Sequence, residues 1–407
     1  MHVFLIVDAV FGAIILVLHI VMCVGVGANL QRERRGRARH GTAHAVGAPA
    51  TPTMHAVPAA DDTAAAPAGN GIRAEVVVAL RDEETALPRL LDSLRSQTCT
   101  DCRFLFVDDR SSDATPQLLE TFRAEQGARV RVIHVASEPE GLTGKQAALD
   151  HAFRQVRGDV ILLTDGDCVF PPSWVEEMLR HFEDPAVGVV LGRVELPAGR
   201  TFLERFQAFE QPLLNQYNLG SAGVGLPTGC FGNNMALRAR AVEETGGFAT
   251  LGFSVTEDAL LLDAVARAGG WKVAVCSSEA AAALTRAQPS WKQYVDQHTR
   301  WNAGGLFSPD VVTRLSYVFI VLIYLVGSIV VMPLGFVDWR VPVLSLNAFL
   351  SIGLLAVASG VYPGKKRLTY FARLLPHLFF FGFFYSFITV RAFVRRPFEW
   401  KGASLRP

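Results

Sequence analysis

Acidic residues close several short apolar runs of this 407-residue chain, and one amide–cation–aromatic segment follows them at long range. Asp108-Asp109 ends the run at 103–107, and Asp165-Gly166-Asp167 ends the run at 159–163. Thr256-Glu257-Asp258 opens an apolar helical stretch at 259–268, and Gln297-His298-Thr299-Arg300-Trp301 comes later. In an open α/β sheet, ligands bind beyond the carboxyl ends of the strands. Hard divalent cations take oxygen ligands, so acids gathered there suit Mg²⁺ or Mn²⁺ carrying phosphate groups.

Each motif has its own chemistry. Asp108 and Asp109 can accept hydrogen bonds from a base N–H or a ribose hydroxyl, while Ser112 or Asp113 caps the helix that follows. Asp165 and Asp167, separated by a glycine that lets backbone approach a ligand, are expected to hold ribose and metal. The metal would act as Lewis acid and template for a leaving diphosphate. Gly141-Leu142-Thr143-Gly144-Lys145 lacks P-loop spacing, yet it places one of only six lysines at a helix start, where a phosphate is favoured. The small and amide residues of 228–238 suit either a wall facing a sugar or a tight turn into a strand. Asp258 is the preferred catalytic base, with Glu257 as its neighbour. Gln297, Arg300 and Trp301 share one face if their segment is helical. Arg300 suits a diphosphate, and Trp301 an acceptor.

These groups need a scaffold. Short apolar runs at 74–79, 103–107, 130–135 and 159–163 alternate with helical patterns at 83–97, 113–125 and 145–156. That alternation predicts βαβ units and a mostly parallel sheet. The Cys99-Thr100-Asp101-Cys102 pair has no second pair to complete a zinc site and reads as reduced thiols in a helix-to-strand loop.

Half of the residues are hydrophobic, and formal charge is +1, which argues against a nucleic-acid partner. The run at 3–27 is long enough to cross a bilayer, and the arginine-rich stretch 31–39 places that flank in the cytoplasm. Residues 40–70, rich in Ala, Pro, Gly and Thr, read as a flexible tether. Three further apolar runs at 315–337, 341–361 and 371–393 give two or three crossings, before a basic tail at 394–407. The expected organisation is an anchor at 1–30, a linker at 31–71, a catalytic domain at 72–306 and membrane segments at 315–393.

With D, DxD, TED and QxxRW motifs in this order, the chain resembles the membrane-bound family 2 glycosyltransferases of GT-A fold over about 74–301. The resemblance implies a nucleotide-sugar donor, UDP-linked by expectation, and a lipid or saccharide acceptor. It assigns Asp108 and Asp109 to the nucleoside, Lys145 to the diphosphate, and Asp165 and Asp167 to ribose and metal. Asp258 becomes the base of an inverting single displacement, while Gln297 and Arg300 close over the diphosphate and Trp301 faces the acceptor. It further implies an integral protein of a bacterial plasma membrane with its catalytic domain in the cytoplasm. A processive polysaccharide synthase and a non-catalytic nucleotide-sugar sensor are the competing readings.

Overall fold

A computed structural model describes residues 2–43, 71–326, 336–338, 374–394, 398–400 and 403–405. Its central sheet has seven strands: β1 (Ala74–Leu80), β2 (Arg103–Asp108), β3 (Val130–His134), β4 (Val160–Thr164), β5 (Val187–Gly192), β7 (Met235–Arg238) and β8 (Lys272–Cys276). Their order is β3-β2-β1-β4-β7-β5-β8. β7 runs antiparallel to both neighbours, and the other pairings are parallel. A two-stranded parallel ribbon, β6 (Val194–Glu195) with β9 (Ala283–Leu284), lies apart from this sheet.

Every residue of β1 is buried, because the strand packs on both faces. Val76, Val78 and Leu80 join Phe104, Phe106 and Leu162 in one core, whereas Val77 and Ala79 join Leu105, Val107 and Ile161 in the other. Side chains alternate across a strand, so a strand buried on both sides reads as a continuous apolar run. The first core receives α2 (Leu87–Arg95) and α3 (Thr115–Gln126); the second receives α4 (Gly144–Phe153) and α9 (Glu257–Arg267). Here α2 starts four residues later than the helix expected from residue 83, with Pro88 in its first turn, where no intrahelical N–H is required. Shorter helices complete this part: α5 (Trp174–Leu179), α7 (Ala239–Glu244) and α8 (Gly247–Leu251).

The 22-residue helix α6 (Phe202–Gly223) opens with a capping box between Thr201 and Glu204. Its far end meets α1 (His2–Ala43) at very close range. A Cβ added at Gly220 would lie 2.6 Å from the Met22 carbonyl oxygen, and Gly25 faces Gly220 backbone in turn. Asn29 Nδ2 donates to the Leu219 carbonyl at 2.8 Å, and Glu33 accepts from Ser277 N and Oγ at 2.5 and 2.7 Å. The helix therefore continues unbroken through the basic stretch 31–39 and docks its second half on the α/β domain.

α10 (Trp291–Leu306) follows β9, then α11 (Val311–Val326), and α12 (Leu374–Val394) packs against both. A short hairpin, β10 (Phe398–Trp400) with β11 (Ala403–Leu405), follows. Among the described residues no helix is long and apolar enough to cross a membrane. The expected run at 341–361, most of the tether, and parts of the runs at 315–337 and 371–393 lie outside the described residues.

Candidate active site

A cavity of about 590 Å³ opens at the carboxyl ends of β1 and β4. Lys145, Asp165, Asp167, Glu257, Asp258, Gln297, Arg300 and Trp301 all line it. Eight expected site residues, spread over more than 150 positions, thus share one space.

The Asp165–Asp167 turn leaves β4 through Gly166, whose added Cβ would lie 2.5 Å from Leu80 Cδ2 and 3.0 Å from Glu83 Cγ. A larger residue there would push against the buried Leu80 side chain at the end of β1. Asp165 Oδ1 lies 2.7 Å from Lys145 Nζ, which also reaches Glu257 Oε1 at 3.1 Å. Burial works against the Lys145 charge, but Asp165, Glu257 and Asp258 outweigh it and raise its pKa. Asp167 Oδ2 accepts from Thr285 Oγ1 at 3.1 Å. Burial first, and then the charge of Asp165, pushes the Asp167 carboxyl above its ordinary value. Two carboxylates that offer only oxygen donors fit a hard divalent cation carrying a diphosphate.

Asp258 sits in the first turn of α9. Its Oδ2 accepts from Gly232 N at 2.7 Å and its Oδ1 from Ala259 N at 2.9 Å. Burial, followed by the Glu257 charge, raises its pKa, which suits a carboxylate that must collect a proton. Residues 228–238 therefore divide their roles. Cys230, Phe231, Gly232 and Asn233 face the cavity. Asn234 is fully buried, donating to the Arg193 and Ala281 carbonyls at 2.7 and 2.9 Å and accepting from Trp174 Nε1 at 2.9 Å.

Gln297, Arg300 and Trp301 occupy one face of α10, as their spacing requires. Arg300 Nη1 donates to the Val255 carbonyl at 2.8 Å, bracing the backbone just before Thr256-Glu257-Asp258. The rest of its five-donor fork remains for an anion.

Asp108 and Asp109 stand apart, since neither lines this cavity. Asp108 accepts from Ser111 N at 3.2 Å and meets His134 Nδ1 at 3.0 Å, and it raises the His134 pKa, with Glu120 adding to the effect. Asp109 is 1% exposed; its Oδ1 accepts from Arg110 Nε at 2.8 Å, whereas its Oδ2 has no hydrogen-bond partner. That oxygen faces Arg81 Nη1 at 3.7 Å, too far for a hydrogen bond, and so keeps capacity for a nucleoside N–H or hydroxyl. Ser112 does not cap α3: its N and Oγ bind Asp82 Oδ1, while Asp113 Oδ1 accepts from Thr115 N at 2.9 Å. Asp82 and Arg110 both take left-handed backbone conformations (φ 50° and 58°), which this cross-bracing holds in place.

Several lining residues escaped the sequence reading. Thr285, Arg286, Gln207, Glu210 and Gln211 belong to no motif, and only their placement shows their relevance. Glu210 is 2% exposed, with its Oε1 facing His298 Nε2 at 3.0 Å and Tyr385 OH at 2.6 Å, and its Oε2 facing Tyr294 OH at 2.6 Å. The network ties α6, α10 and α12 together behind the QxxRW face. Among the described residues, the one group of three convergent metal-type ligands, Glu33, His181 and Cys276, lies elsewhere, where α1 meets β8.

A mostly parallel sheet with acids at its strand ends, a DxD turn and a helix-borne carboxylate defines the GT-A-type glycosyltransferase class. Residues 75–246 match the family described as Glycosyl transferase family 2, and the chain carries a domain of that family. The chain is 34% identical over 109 residues to the glycosyltransferase-named EpsH of Bacillus subtilis, covering 27% of this chain and 30% of that one. It is also 34% identical over 116 residues to an undecaprenyl-phosphate 4-deoxy-4-formamido-L-arabinose transferase of Pseudomonas fluorescens, covering 28% and 32%. The matches to these two curated relatives thus span about a third of their length. The mannosyltransferase PcManGT of Pyrobaculum calidifontis, solved with GDP-Man and Mn²⁺, has the same fold, with a TM-score of 0.53 at 15% identity over 95% of this chain and 99% of that one.

Proposed function

We propose that this protein is a membrane-bound inverting glycosyltransferase that moves a sugar from a nucleotide donor, UDP-linked, to a membrane-associated lipid acceptor. One observation carries this: Lys145, Asp165, Asp167, Asp258 and Arg300 converge on one cavity at the strand ends. The donor's nucleoside sits towards Asp109, and its diphosphate towards Lys145 and Arg300. Asp165 and Asp167 would hold Mg²⁺ or Mn²⁺, which would supply Lewis-acid stabilisation to the departing diphosphate. Asp258 takes the proton of an acceptor hydroxyl while that oxygen forms its bond to the anomeric carbon and the bond to the diphosphate breaks. Arg300 and Lys145 meet negative charge that grows on the leaving group, so they favour the transition state over the bound donor. The apolar runs at both ends of the chain hold the enzyme in a bacterial plasma membrane, with the catalytic domain on the cytoplasmic side. The undecaprenyl-phosphate relative supports a lipid acceptor.

The test uses full-length protein in native-lipid nanodiscs with Mn²⁺ or Mg²⁺ and a panel of nucleotide sugars, with Asp258→Asn as control. Nucleoside diphosphate release with a lipid gaining one sugar mass supports the reading. A ladder of repeating mass would replace it with a processive synthase, and donor binding without turnover would replace it with a sensor.

A further inference from the structure

The cavity has a second polar wall that the donor chemistry above does not use. Four Lys or Arg side chains line the cavity: Lys145, Arg286, Lys292 and Arg300. Lys145 is held by Asp165 and Glu257, Lys292 by Asp296 at 3.1 Å, and Arg300 by the Val255 carbonyl. Arg286 alone has no carboxylate or carbonyl partner among the described residues, although Asp167 lies just beyond its neighbour Thr285.

Its loop is firmly placed. Gln207 Oε1 accepts from Gln288 N at 2.7 Å, and Gln207 Nε2 donates to the Gln288 carbonyl at 3.0 Å. This two-way clamp sets residues 285–288 against α6, one helical turn from Gln211. Gln211 is 7% exposed and lines the same cavity, and its Nε2 has no hydrogen-bond partner. A buried amide donor left without a partner is destabilising, so such a group marks a place where a ligand acceptor belongs.

We propose that Arg286 and Gln211 form an anion subsite for a phosphate group carried by the lipid acceptor, apart from the hydroxyl that Asp258 deprotonates. A guanidinium fork occupies two oxygens of an anion. A phosphate monoester has a third oxygen left for the Gln211 amide, whereas a carboxylate has none. The wall belongs to α6 and the 285–288 loop, and Arg286 is a different cation from Lys145 and Arg300, to which the donor diphosphate is assigned. The word acceptor rests on the transferase reading; the anion subsite does not.

Calorimetry on the full chain in nanodiscs, loaded with UDP and Mn²⁺, separates the possibilities. Farnesyl phosphate should bind, Arg286→Ala should weaken it by about tenfold or more, the scale of one lost charge-assisted bond, and Arg286→Lys should recover part of the loss. Gln211→Leu should weaken farnesyl phosphate without changing UDP affinity. Farnesol, with the same tail and no phosphate, should bind equally to wild type and Arg286→Ala. Inorganic phosphate should compete only weakly; competition as strong as that of farnesyl phosphate would overturn the lipid source. Equal farnesyl phosphate affinity in wild type and Arg286→Ala would overturn the subsite, as would a loss confined to UDP. Absence of UDP binding to wild type would instead strike the transferase reading alone.

Discussion

The backbone N–H of Gly232 donates to Asp258 Oδ2 at 2.7 Å, and a Cβ at Gly232 would stand 2.7 Å from that same oxygen. The residue that orients the Asp258 carboxylate thus tolerates no side chain. Gly232→Ala should turn the carboxylate away and lower kcat by about a hundredfold, the scale of a misplacement near 1 Å. The melting temperature should change little, since α9 keeps its core contacts. A kcat equal to wild type would show that the Asp258 orientation is set elsewhere.

Asp258→Asn should lower kcat by roughly 10² to 10⁴ while leaving donor affinity intact, the range expected for losing a general base. Burial and the Glu257 charge raise the Asp258 pKa, so its ionised form appears at higher pH than in an unperturbed aspartate. The acid limb of the kcat profile should therefore be displaced to higher pH and vanish in Asp258→Asn. A limb that persists in the variant would assign the titration to another group.

Lys145 neutralises Asp165 and Glu257 together. Its pKa is raised on folding, so its contribution to stability is complete below the ordinary lysine value and is constant between pH 5 and 9 by the linkage rule. Lys145→Met strands two carboxylates, at a cost near the lower end of about 3–5 kcal/mol because the lysine keeps some solvent contact. The deficit in melting temperature should be constant between pH 5 and 9, and Lys145→Arg, which keeps the charge, should recover part of it; equal deficits in Lys145→Met and Lys145→Arg would contradict the ion-pair account.

Asp263, on α9, accepts from Ser308 Oγ at 3.0 Å and Thr313 Oγ1 at 3.3 Å. Burial pushes its carboxyl up to about 6. A carboxyl raised on folding favours the folded state below its unfolded pKa, and that advantage is lost as pH rises through about 6. Asp263→Asn should therefore unfold later than wild type at pH 8, by up to about 3 kcal/mol for a shift of this size, and lose the advantage near pH 4. A constant offset across pH would show that hydrogen bonding, and not charge, dominates there.

The strands β1, β2 and β4 were legible because burial on both faces leaves an apolar run in the sequence, and the acids at the ends of β2 and β4 inherit a predictable position. Gln297, Arg300 and Trp301 were legible because one helical face needs only local spacing. The antiparallel β7 and the α6 wall were not. Helix α6 buries Gln207, Glu210, Gln211, Asn215 and Gln216, polar residues that read as a solvated surface. Several of their partners, Gln288, Tyr294, His298 and Tyr385, lie more than 75 positions away, beyond any local pattern. Asp109 shows the opposite limit: its strand-end place was foreseeable, but not its position between Arg110 and Arg81.

Glu210 supports the last prediction. His298 places its two ring nitrogens against acceptors, the Tyr294 carbonyl and Glu210 Oε1, each at 3.0 Å. A neutral imidazole has one N–H and can donate to only one of them. Glu210→Gln keeps the shape but turns one oxygen into an NH₂ that faces a donor, either Tyr294 OH or the pair formed by Tyr385 OH and His298. One buried donor then loses its acceptor, at about 1–3 kcal/mol. Because the network fixes α10 from behind, the variant should lower kcat more than it raises donor KM, and it should lose stability on the same scale. His298→Gln combined with Glu210→Gln should recover part of the stability, since two amides can pair. If the double variant is as unstable as the sum of the single ones, Glu210 and His298 act independently and the α10 brace lies elsewhere.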